Sequence, residues 1–312
     1  THLLQGACAE QLTVQPRRRI VWLAAILACL TAVPNADAAD SKRRSRRSTR
    51  SKAKAEQTVP QDYRSRHFVI HTDLSKDEAK DLLERLETML RLISRYWGAP
   101  CRKTIECYVV KDLKKWPPNS LHPDGLRSVA TGGGVTLSQS KRLPYNEKIV
   151  DADAVVYAVS QRGVPLHEAV HAYCALTFGR TGPPWYSEGM AELGNYWRQN
   201  DSSVLLEPIV LRYLQQAEIM SLNEIVNGAQ TTGDSWQNYA WRWALCHLLS
   251  HNPNYAPRFR PLGLGLLNGQ DVSFEQVYGS MAPEITFEYK FFIDHLDQGL
   301  RADLIYIDWK KK

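Results

Sequence analysis

Two histidines and a glutamate, His167, His171 and Glu168, stand at a spacing that suits hydrolytic metal chemistry, in a mostly apolar run that ends at Gly179. A helix turns by about 100° per residue, so two histidines four apart share one helix face and can hold one metal ion. Glu168 follows the first histidine directly, where sites of this spacing carry the base that takes a proton from the attacking water. The pattern predicts a catalytic metal centre. The alternative is a pair of core histidines bonded to their neighbours.

The spacing is that of zinc peptidases, and a catalytic zinc ion takes three protein ligands and leaves one position open. Glu188, in the stretch PPWYSEGMAEL, is the candidate third ligand, because the paired prolines end a loop and start a second helix. Glu192 lies four residues further on the same face, where it either orients a ligating imidazole or is a solvated helix charge. The sequence therefore predicts Zn²⁺ bound by His167, His171 and Glu188.

The elements that must position these residues follow from apolar periodicity and from helix stop signals. A half-buried helix is predicted over 166–179, with glycine at its end. Strands are predicted over 67–71 and 104–110, and a helix that opens with a capping box over 75–97. The glycine-rich segment 129–137 is either a strand with a bulge or a loop. Five further helices are predicted over 204–217, 221–227, 235–250, 255–267 and 283–296.

The two motifs together resemble a known family. HEAVH followed by WYSEGMAEL is similar to the gluzincin, or thermolysin-like, metallopeptidases. The similarity is to the branch shared by leukotriene-hydrolase-type aminopeptidases and bacterial collagenases, and to a bacterial group of secreted proteins of unknown function. Carried over residue by residue, the resemblance implies zinc ligands at His167, His171 and Glu188. It also implies a general base at Glu168 and a supporting carboxylate at Glu192.

The resemblance covers about residues 160–250 and implies an α+β, zincin-like fold, with a small N-terminal sheet and helices followed by a mostly helical C-terminal half. Within it, YAWRWALCHLL is similar to the aminopeptidase segment Y-x-K-G-x-A-L-x-x-x-L, which implies that Tyr239 donates a hydrogen bond to the oxyanion. Arg242 replaces that family's glycine, and a core aromatic is the other interpretation of Tyr239. The segment 129–137 stands where the family has an edge strand that pairs with substrate. It lacks the aminopeptidases' G-x-M-E-N signature, so aminopeptidase activity is not implied.

The amino-terminal region has the pattern of a secretory signal peptide. Three arginines at 17–19 precede an apolar run over 20–33, and Ala36-Asp37-Ala38 supplies a cleavage site of the A-x-A type. Residues 1–38 are therefore predicted to be a signal peptide with an upstream extension, and the run is too short to span a membrane. A lipoprotein signal with Cys29 lipidated is the alternative. We expect export to the periplasm, the cell surface or the medium.

Residues 39–59 are predicted to be a disordered basic linker, because SKRRSRRSTRSKAKAE has no large apolar residue. Residues 1–56 hold 11 Lys and Arg against 4 Asp and Glu, which leaves 28 basic and 29 acidic residues for the rest of the chain. The folded part is near neutral, so nucleic-acid binding is not expected. The linker either contacts an anionic envelope polymer or serves as a solvated tether.

Residues 60–312 are predicted to form one gluzincin-like catalytic domain, with the metal cleft between a sheet-containing first part and a helical second part. We expect a secreted zinc-dependent peptidase that acts on a peptide or protein substrate. One alternative is a catalytically silent zinc-binding or wall-associated domain of the same fold, although Glu168 has no use in a pure metal scaffold. Another is hydrolysis of a non-peptide amide or ester. The oligomeric state stays open, as does the pairing of Cys101, Cys107, Cys174 and Cys246.

Overall fold

The structure, a computed structural model, describes residues 59–143, 149–161, 163–196, 204, 206–228, 235–299, 301–303 and 306–309. The predicted signal peptide, the alternative lipidation site at Cys29 and the predicted linker up to residue 58 lie outside the described residues. In the described ranges no helix is long and apolar enough to cross a membrane.

All described strands lie before residue 160 and form one sheet. The first part of the domain contains β1 (Gln61–Arg64), β2 (Phe68–Thr72), α1 (Lys76–Trp97), β3 (Ile105–Val110), α2 (Pro123–Ala130), β4 (Gly134–Arg142) and β5 (Ile149–Val159). The sheet order is β1-β2-β3-β5-β4, with β2, β3 and β5 parallel and with β1 and β4 antiparallel to their neighbours. β4 is therefore an edge strand, and one side of its backbone is turned away from the sheet.

The second part of the domain is helical. It contains α3 (Val164–Phe178), α4 (Pro184–Tyr196), α5 (Pro208–Gln216), α6 (Leu222–Asn227), α7 (Trp236–His251), α8 (Ala256–Leu267), α9 (Phe274–Tyr278) and α10 (Ala282–Asp294). The prediction of an α+β fold, with strands and helices first and helices after, is confirmed.

Helices cover both faces of the sheet. α1 and α3 pack on one face, where alternate strand residues such as Ile70, Cys107 and Val156 are fully buried. α2 and the loop before it cover the opposite face, where Leu121 and Val129 pack in a second, smaller cluster. Because α3 lies against both β4 and β5, any side chain on its β4 side faces the edge of the sheet.

The long helix α1 forms where its capping box predicted it. The Glu78 backbone N–H donates to Ser75 Oγ at 3.4 Å, and the Ser75 backbone N–H donates to Glu78 Oε2 at 2.8 Å. Gly98 ends the helix in the left-handed conformation, with φ at 72°. The buried residues of α1 recur at helical spacing, so one apolar face of this helix packs on the sheet.

Other predicted elements need correction. The helix predicted over 166–179 forms as α3 and ends at Gly179, but it is more deeply buried than predicted. None of its residues is exposed, because the sheet lies on one side and α1 and α4 lie on the other. The segment 129–137, predicted to be either a bulged strand or a loop, contains three parts: the end of α2 at Ala130, a turn at Gly132 and the start of β4 at Gly134. β1, β5, α2 and α9 have no counterpart among the predicted elements, and the helix predicted from residue 204 begins at Pro208.

The cysteines of the described chain do not pair. Cys101, Cys107, Cys174 and Cys246 are free thiols. Burial raises the pKa of the last three well above the ordinary value of a thiol, so these groups stay protonated and act as small apolar parts of the core. The fold is therefore held by packing, without a disulfide among these four residues.

Candidate metal centre

Two adjacent helices bring the predicted ligands together. α3 carries His167 and His171 one turn apart, with their ring centroids 4.8 Å from each other. α4 carries Glu188, whose carboxylate faces both rings. Each helix has a proline in its first turn, Pro165 and Pro184, where the missing N–H costs nothing and the fixed φ suits a helix start. The sequence thus sets where both helices begin, and their packing joins the three side chains.

The three candidate donor atoms are spaced like ligands of one ion. The Nε2 atoms of His167 and His171 are 3.1 Å apart, and Glu188 Oε2 lies 3.1 Å from the first and 3.4 Å from the second. Two ligands held at about 2.0 to 2.1 Å by a tetrahedral ion stand about 3.3 to 3.4 Å from each other. These residues therefore form a largely buried cluster that could hold a metal ion.

Partners behind each imidazole aim the nitrogen lone pairs at this point. His167 Nδ1 lies 2.8 Å from Glu192 Oε1, and His171 Nδ1 lies 3.2 Å from Ser187 Oγ. A carboxylate only accepts, so His167 Nδ1 donates to Glu192, and in the neutral imidazole Nε2 then presents a lone pair. When His171 donates through Nδ1 to Ser187 in the same way, two nitrogen lone pairs and a carboxylate oxygen converge. Such a set of acceptors repels itself unless a cation lies among them.

The electrostatics of the cluster also favour a positive charge beside the Glu188 and Glu192 carboxylates. Burial opposes protonation of His167, but its hydrogen bonds to Glu188 and Glu192 outweigh burial and raise the pKa of the imidazole well above its ordinary value. Burial likewise opposes ionisation of Glu188, and the hydrogen bonds from His167 and His171 outweigh it, so the pKa of this carboxyl lies far below its ordinary value. A proton on His167, or a metal ion bound beside it, supplies the positive charge that stabilises the ionised carboxylates of Glu188 and Glu192.

Glu168 lies beside the cluster, under the edge of the sheet. Thr136 on β4 places its Oγ1 2.8 Å from Glu168 Oε2 and 2.8 Å from the main-chain oxygen of the same residue, so the hydroxyl donates between these two acceptors. Gly134 allows the approach, since a Cβ there would lie 2.7 Å from Glu168 Cγ and 3.1 Å from Oε1. Strand β4 therefore fixes how the Glu168 carboxylate is oriented in the cleft.

Tyr239 on α7 forms another wall of the site. Its half-buried ring stacks on the His167 imidazole, with centroids 5.6 Å apart and an interplanar angle of 22°. α7 packs tightly on α4 because position 189 is glycine: a Cβ there would lie 2.6 Å from the main-chain oxygen of Arg242. The Arg242 guanidinium lies 5.7 Å from the centre of the Tyr239 ring, as a cation over an aromatic face.

Two adjoining cavities meet at this point. The larger has a volume of about 540 Å³ and the smaller about 200 Å³, and both are lined by Gly134, His167, Glu168 and Tyr239. The smaller cavity follows β4 as far as Ser138 and reaches the other two candidate ligands. The larger one extends from the turn before β4 towards α5 and α7. The cluster and Glu168 are therefore reached from two sides.

The structure places all the predicted site residues, His167, Glu168, His171, Glu188, Glu192 and Tyr239, around one cleft. Two partners have no counterpart in the prediction, Thr136 and Ser187. Ser187 directly precedes the predicted ligand Glu188 on the same helix, so its place near the metal centre could have been predicted from the sequence. Thr136 is 32 residues from Glu168, and only the packing of β4 on α3 brings it near.

Fold and site define a class: an α+β protein with a buried cluster of two histidines and one glutamate that could hold a metal ion. No protein-family model matches the chain, and no curated protein matches its sequence. Function is therefore inferred from the residues and their geometry.

Proposed function

We propose that this chain is a zinc-dependent peptidase of the gluzincin type, with Glu168 as general base. The observation that carries the proposal is the position of this glutamate. Its carboxylate is held by Thr136 where the two cavities meet, next to the three candidate ligands and outside their set. A proton acceptor at such a place serves hydrolysis, whereas a domain that only binds metal has no use for it.

Zinc is the metal that this donor set suits. Two imidazole nitrogens and one carboxylate oxygen match the three protein ligands of catalytic zinc sites such as those of thermolysin-like enzymes. Glu192 behind His167 supplies the carboxylate that commonly orients a zinc-ligating histidine and raises its basicity. Bound zinc would polarise the scissile carbonyl and lower the pKa of a water molecule to about 7.

The chain's own residues would carry the proton transfers. Glu168 takes a proton from the attacking water and passes it to the leaving amine. Thr136 holds the Glu168 carboxylate in one orientation, which keeps the acceptor near its attack geometry. Tyr239, whose ring stacks on His167, is our candidate for the donor that stabilises the oxyanion. Glu192 keeps His167 in the tautomer whose Nε2 can ligate.

A zincin-like fold is part of this proposal. β4 is an antiparallel edge strand that packs on the helix with the histidines, as the edge strand of the resembled peptidases does. A peptide can add to such an edge through main-chain hydrogen bonds. Export by the predicted signal peptide would bring the enzyme to peptide or protein substrates outside the cytoplasm, where the basic linker could contact an anionic envelope polymer.

The proposal is tested by incubating the purified protein with zinc and a broad mixture of peptides and identifying products by mass spectrometry. We expect peptide-bond cleavage that a chelator stops and added zinc restores. A zinc-loaded protein that cleaves nothing in the mixture would favour the silent metal-binding domain. Cleavage confined to small amide or ester compounds would move the reaction to another class of hydrolase.

Removing the Thr136 hydroxyl should slow hydrolysis without releasing the metal. Thr136→Val keeps the shape of the side chain but takes one donor from the Glu168 carboxylate, and a hydrogen bond to a charged group is worth about 1.5 to 3 kcal/mol. We expect kcat to fall by about tenfold or more, with KM and zinc content nearly unchanged. Thr136→Ser keeps the hydroxyl and should retain most of the activity. Equal kcat values for the valine and serine variants would show that this bond does not hold the base.

A further inference from the structure

The turn that leads into β4 is rich in glycine. Thr131 follows α2, and Gly132, Gly133 and Gly134 come next, with β4 beginning at Gly134. Glycine loses more backbone freedom on folding than any other residue, so three in a row keep one conformation only where other groups hold them. We call residues 131–134 the glycine turn. Because the glycine turn lines the larger cavity together with Glu168, whatever holds it also shapes the proposed site.

Ser128 on α2 holds the glycine turn through two of its atoms. Its main-chain oxygen accepts a hydrogen bond from the Gly133 N–H at 3.0 Å. Its side-chain Oγ donates to the main-chain oxygen of Gly134 at 2.7 Å. Any residue at position 128 could make the first bond, but the second needs a short side chain with a hydroxyl donor. The second bond is therefore the one that the choice of serine adds.

The sheet itself supplies no partner for the Gly134 oxygen. The Gly133 oxygen accepts from the Val159 N–H on β5 at 3.1 Å, so the main-chain groups of Gly133 face β5. Neighbouring residues of a strand turn their main-chain groups to opposite sides, so those of Gly134 face the free edge of β4. The Ser128 hydroxyl binds at this edge and so attaches the first residue of β4 to α2.

Helix α2 is a firm support for this bond. Val129, the residue after Ser128, is buried and packs in the smaller core cluster. Gly125, three residues before Ser128, lies so close to β5 that a Cβ there would overlap the ring of Tyr157. The hydroxyl of Ser128 is therefore carried by a helix that is packed closely on the sheet, and it holds the glycine turn against that helix.

The glycine turn in turn contacts the proposed base. The main chain at Gly134 packs on the Glu168 side chain, since a Cβ at this position would lie 2.7 Å from Glu168 Cγ. Two residues further along β4, Thr136 donates to the Glu168 carboxylate at 2.8 Å. Reacting groups work only when they are held within about 0.5 Å of their productive positions. A shift of the glycine turn would therefore be felt at the carboxylate through both contacts.

Resting on the proposed function, we propose that Ser128 is a positioning residue for the hydrolysis. Its hydroxyl fixes the glycine turn, and the turn fixes the Glu168 carboxylate through Gly134 and Thr136. Ser128 takes no part in the proton transfers and acts only through Glu168. Loss of the hydroxyl leaves the metal and the base in the protein but lets the carboxylate leave its attack orientation.

The first test is a double-mutant cycle between Ser128→Ala and Glu168→Gln. Ser128→Ala should lower kcat by about fivefold or more, with KM and zinc content nearly unchanged, because a misplacement of about 1 Å can cost a hundredfold. Ser128→Thr keeps a hydroxyl and should retain most of the activity. In the Glu168→Gln background, followed over long incubations, Ser128→Ala should cost less than about twofold, since residues that act through one group are not additive.

Ser140→Ala is the matched control. Ser140 also lies on β4, and its hydroxyl also donates to a main-chain oxygen, that of Gly179 at 3.2 Å. We expect parental kcat from this variant. The same fold-loss from Ser128→Ala with and without the base would overturn the inference, because it would show that the serine acts on the fold in general.

The second test follows the glycine turn without any substrate. Amide hydrogen exchange of residues 131–137 is measured by mass spectrometry in the zinc-loaded protein. Ser128→Ala should speed this exchange by about three- to tenfold, the worth of one hydrogen bond, and leave the exchange of α1 unchanged. Unchanged exchange in 131–137 would overturn the inference, whether or not the protein cleaves peptides. Faster exchange in a protein that cleaves nothing would defeat the proposed function, so the two failures can be told apart.

A second substitution should compensate for the lost hydroxyl. A Cβ at Gly133 would meet only Ser128, at 3.5 Å from Oγ and 3.6 Å from the main-chain oxygen, which are ordinary contacts. Alanine restricts the chain more than glycine does. Gly133→Ala added to Ser128→Ala should therefore slow the exchange of 131–137 again and recover part of kcat. Slower exchange with no recovery of kcat would overturn the link between the turn and the base.

Discussion

Glu168→Gln should lose at least a hundredfold in turnover while one zinc ion stays bound. Glutamine keeps nearly the shape of glutamate and leaves both histidines and Glu188 in place, but its amide cannot accept a proton from water. General base catalysis contributes about 10² to 10⁴ in rate, which sets the expected loss. The measurements are steady-state kcat on a peptide that the parent protein cleaves and the metal content of the same preparation.

Glu84→Gln is a suitable control for this variant, because Glu84 lies on the exposed side of α1 with 71% of its side chain accessible. We expect parental turnover and parental metal content from it. Parental turnover in Glu168→Gln with zinc bound would contradict the general-base assignment. Loss of the metal in Glu168→Gln would instead place this carboxylate among the ligands.

His171→Ala should weaken zinc binding by more than a hundredfold and abolish hydrolysis with it. The change removes one of three donors from a largely buried cluster and leaves the Glu188 carboxylate facing a single imidazole. Mutation of a residue that only hydrogen-bonds to a ligating histidine typically lowers metal affinity by about 10- to 100-fold. Removal of a ligand itself should therefore lower the affinity by more. The measurement is a competition titration with a chromophoric zinc chelator, followed by metal analysis after dialysis.

Two further variants bracket this result. Ser187→Ala removes only the partner of His171 Nδ1 and should weaken zinc binding by about 10-fold, less than the loss of the ligand itself. His122→Ala removes a histidine that is half exposed on the other side of the sheet and should leave the affinity unchanged. Tight zinc binding in His171→Ala would mean that the ion sits elsewhere in the protein.

Much of the candidate site could be predicted because its signals are local. His167, Glu168 and His171 lie within five consecutive residues of one helix, and helix geometry alone puts the two imidazoles on the same face. Glu188 and Glu192 need one further step, the packing of α4 on α3, which the prolines and apolar residues around them favour. The capping box at Ser75 is likewise a local signal, and it identified the start of α1 correctly.

The features that escaped prediction depend on contacts between distant segments. The donor to Glu168 is Thr136, and its role follows from the register of β4 on β5 and from the absence of a side chain at Gly134, which no spacing rule encodes. β5 escaped because Asp151 and Asp153 disfavour a strand locally. In the folded chain these two carboxylates lie on β5 within reach of Lys103 Nζ, at 2.6 and 3.5 Å, and their strand pairs along its length with β4.

The most direct test of the proposal is the metal content and coordination of the purified parent protein, measured by elemental analysis and by X-ray absorption at the zinc edge. We expect one zinc ion per chain, bound by two imidazole nitrogens and by oxygen, with nitrogen and oxygen ligands at about 2.0 to 2.2 Å. A folded protein that carries no zinc and takes up none when it is added would contradict the proposal. So would a zinc ion bound by sulfur, since the described cysteines lie outside the cluster of His167, His171 and Glu188.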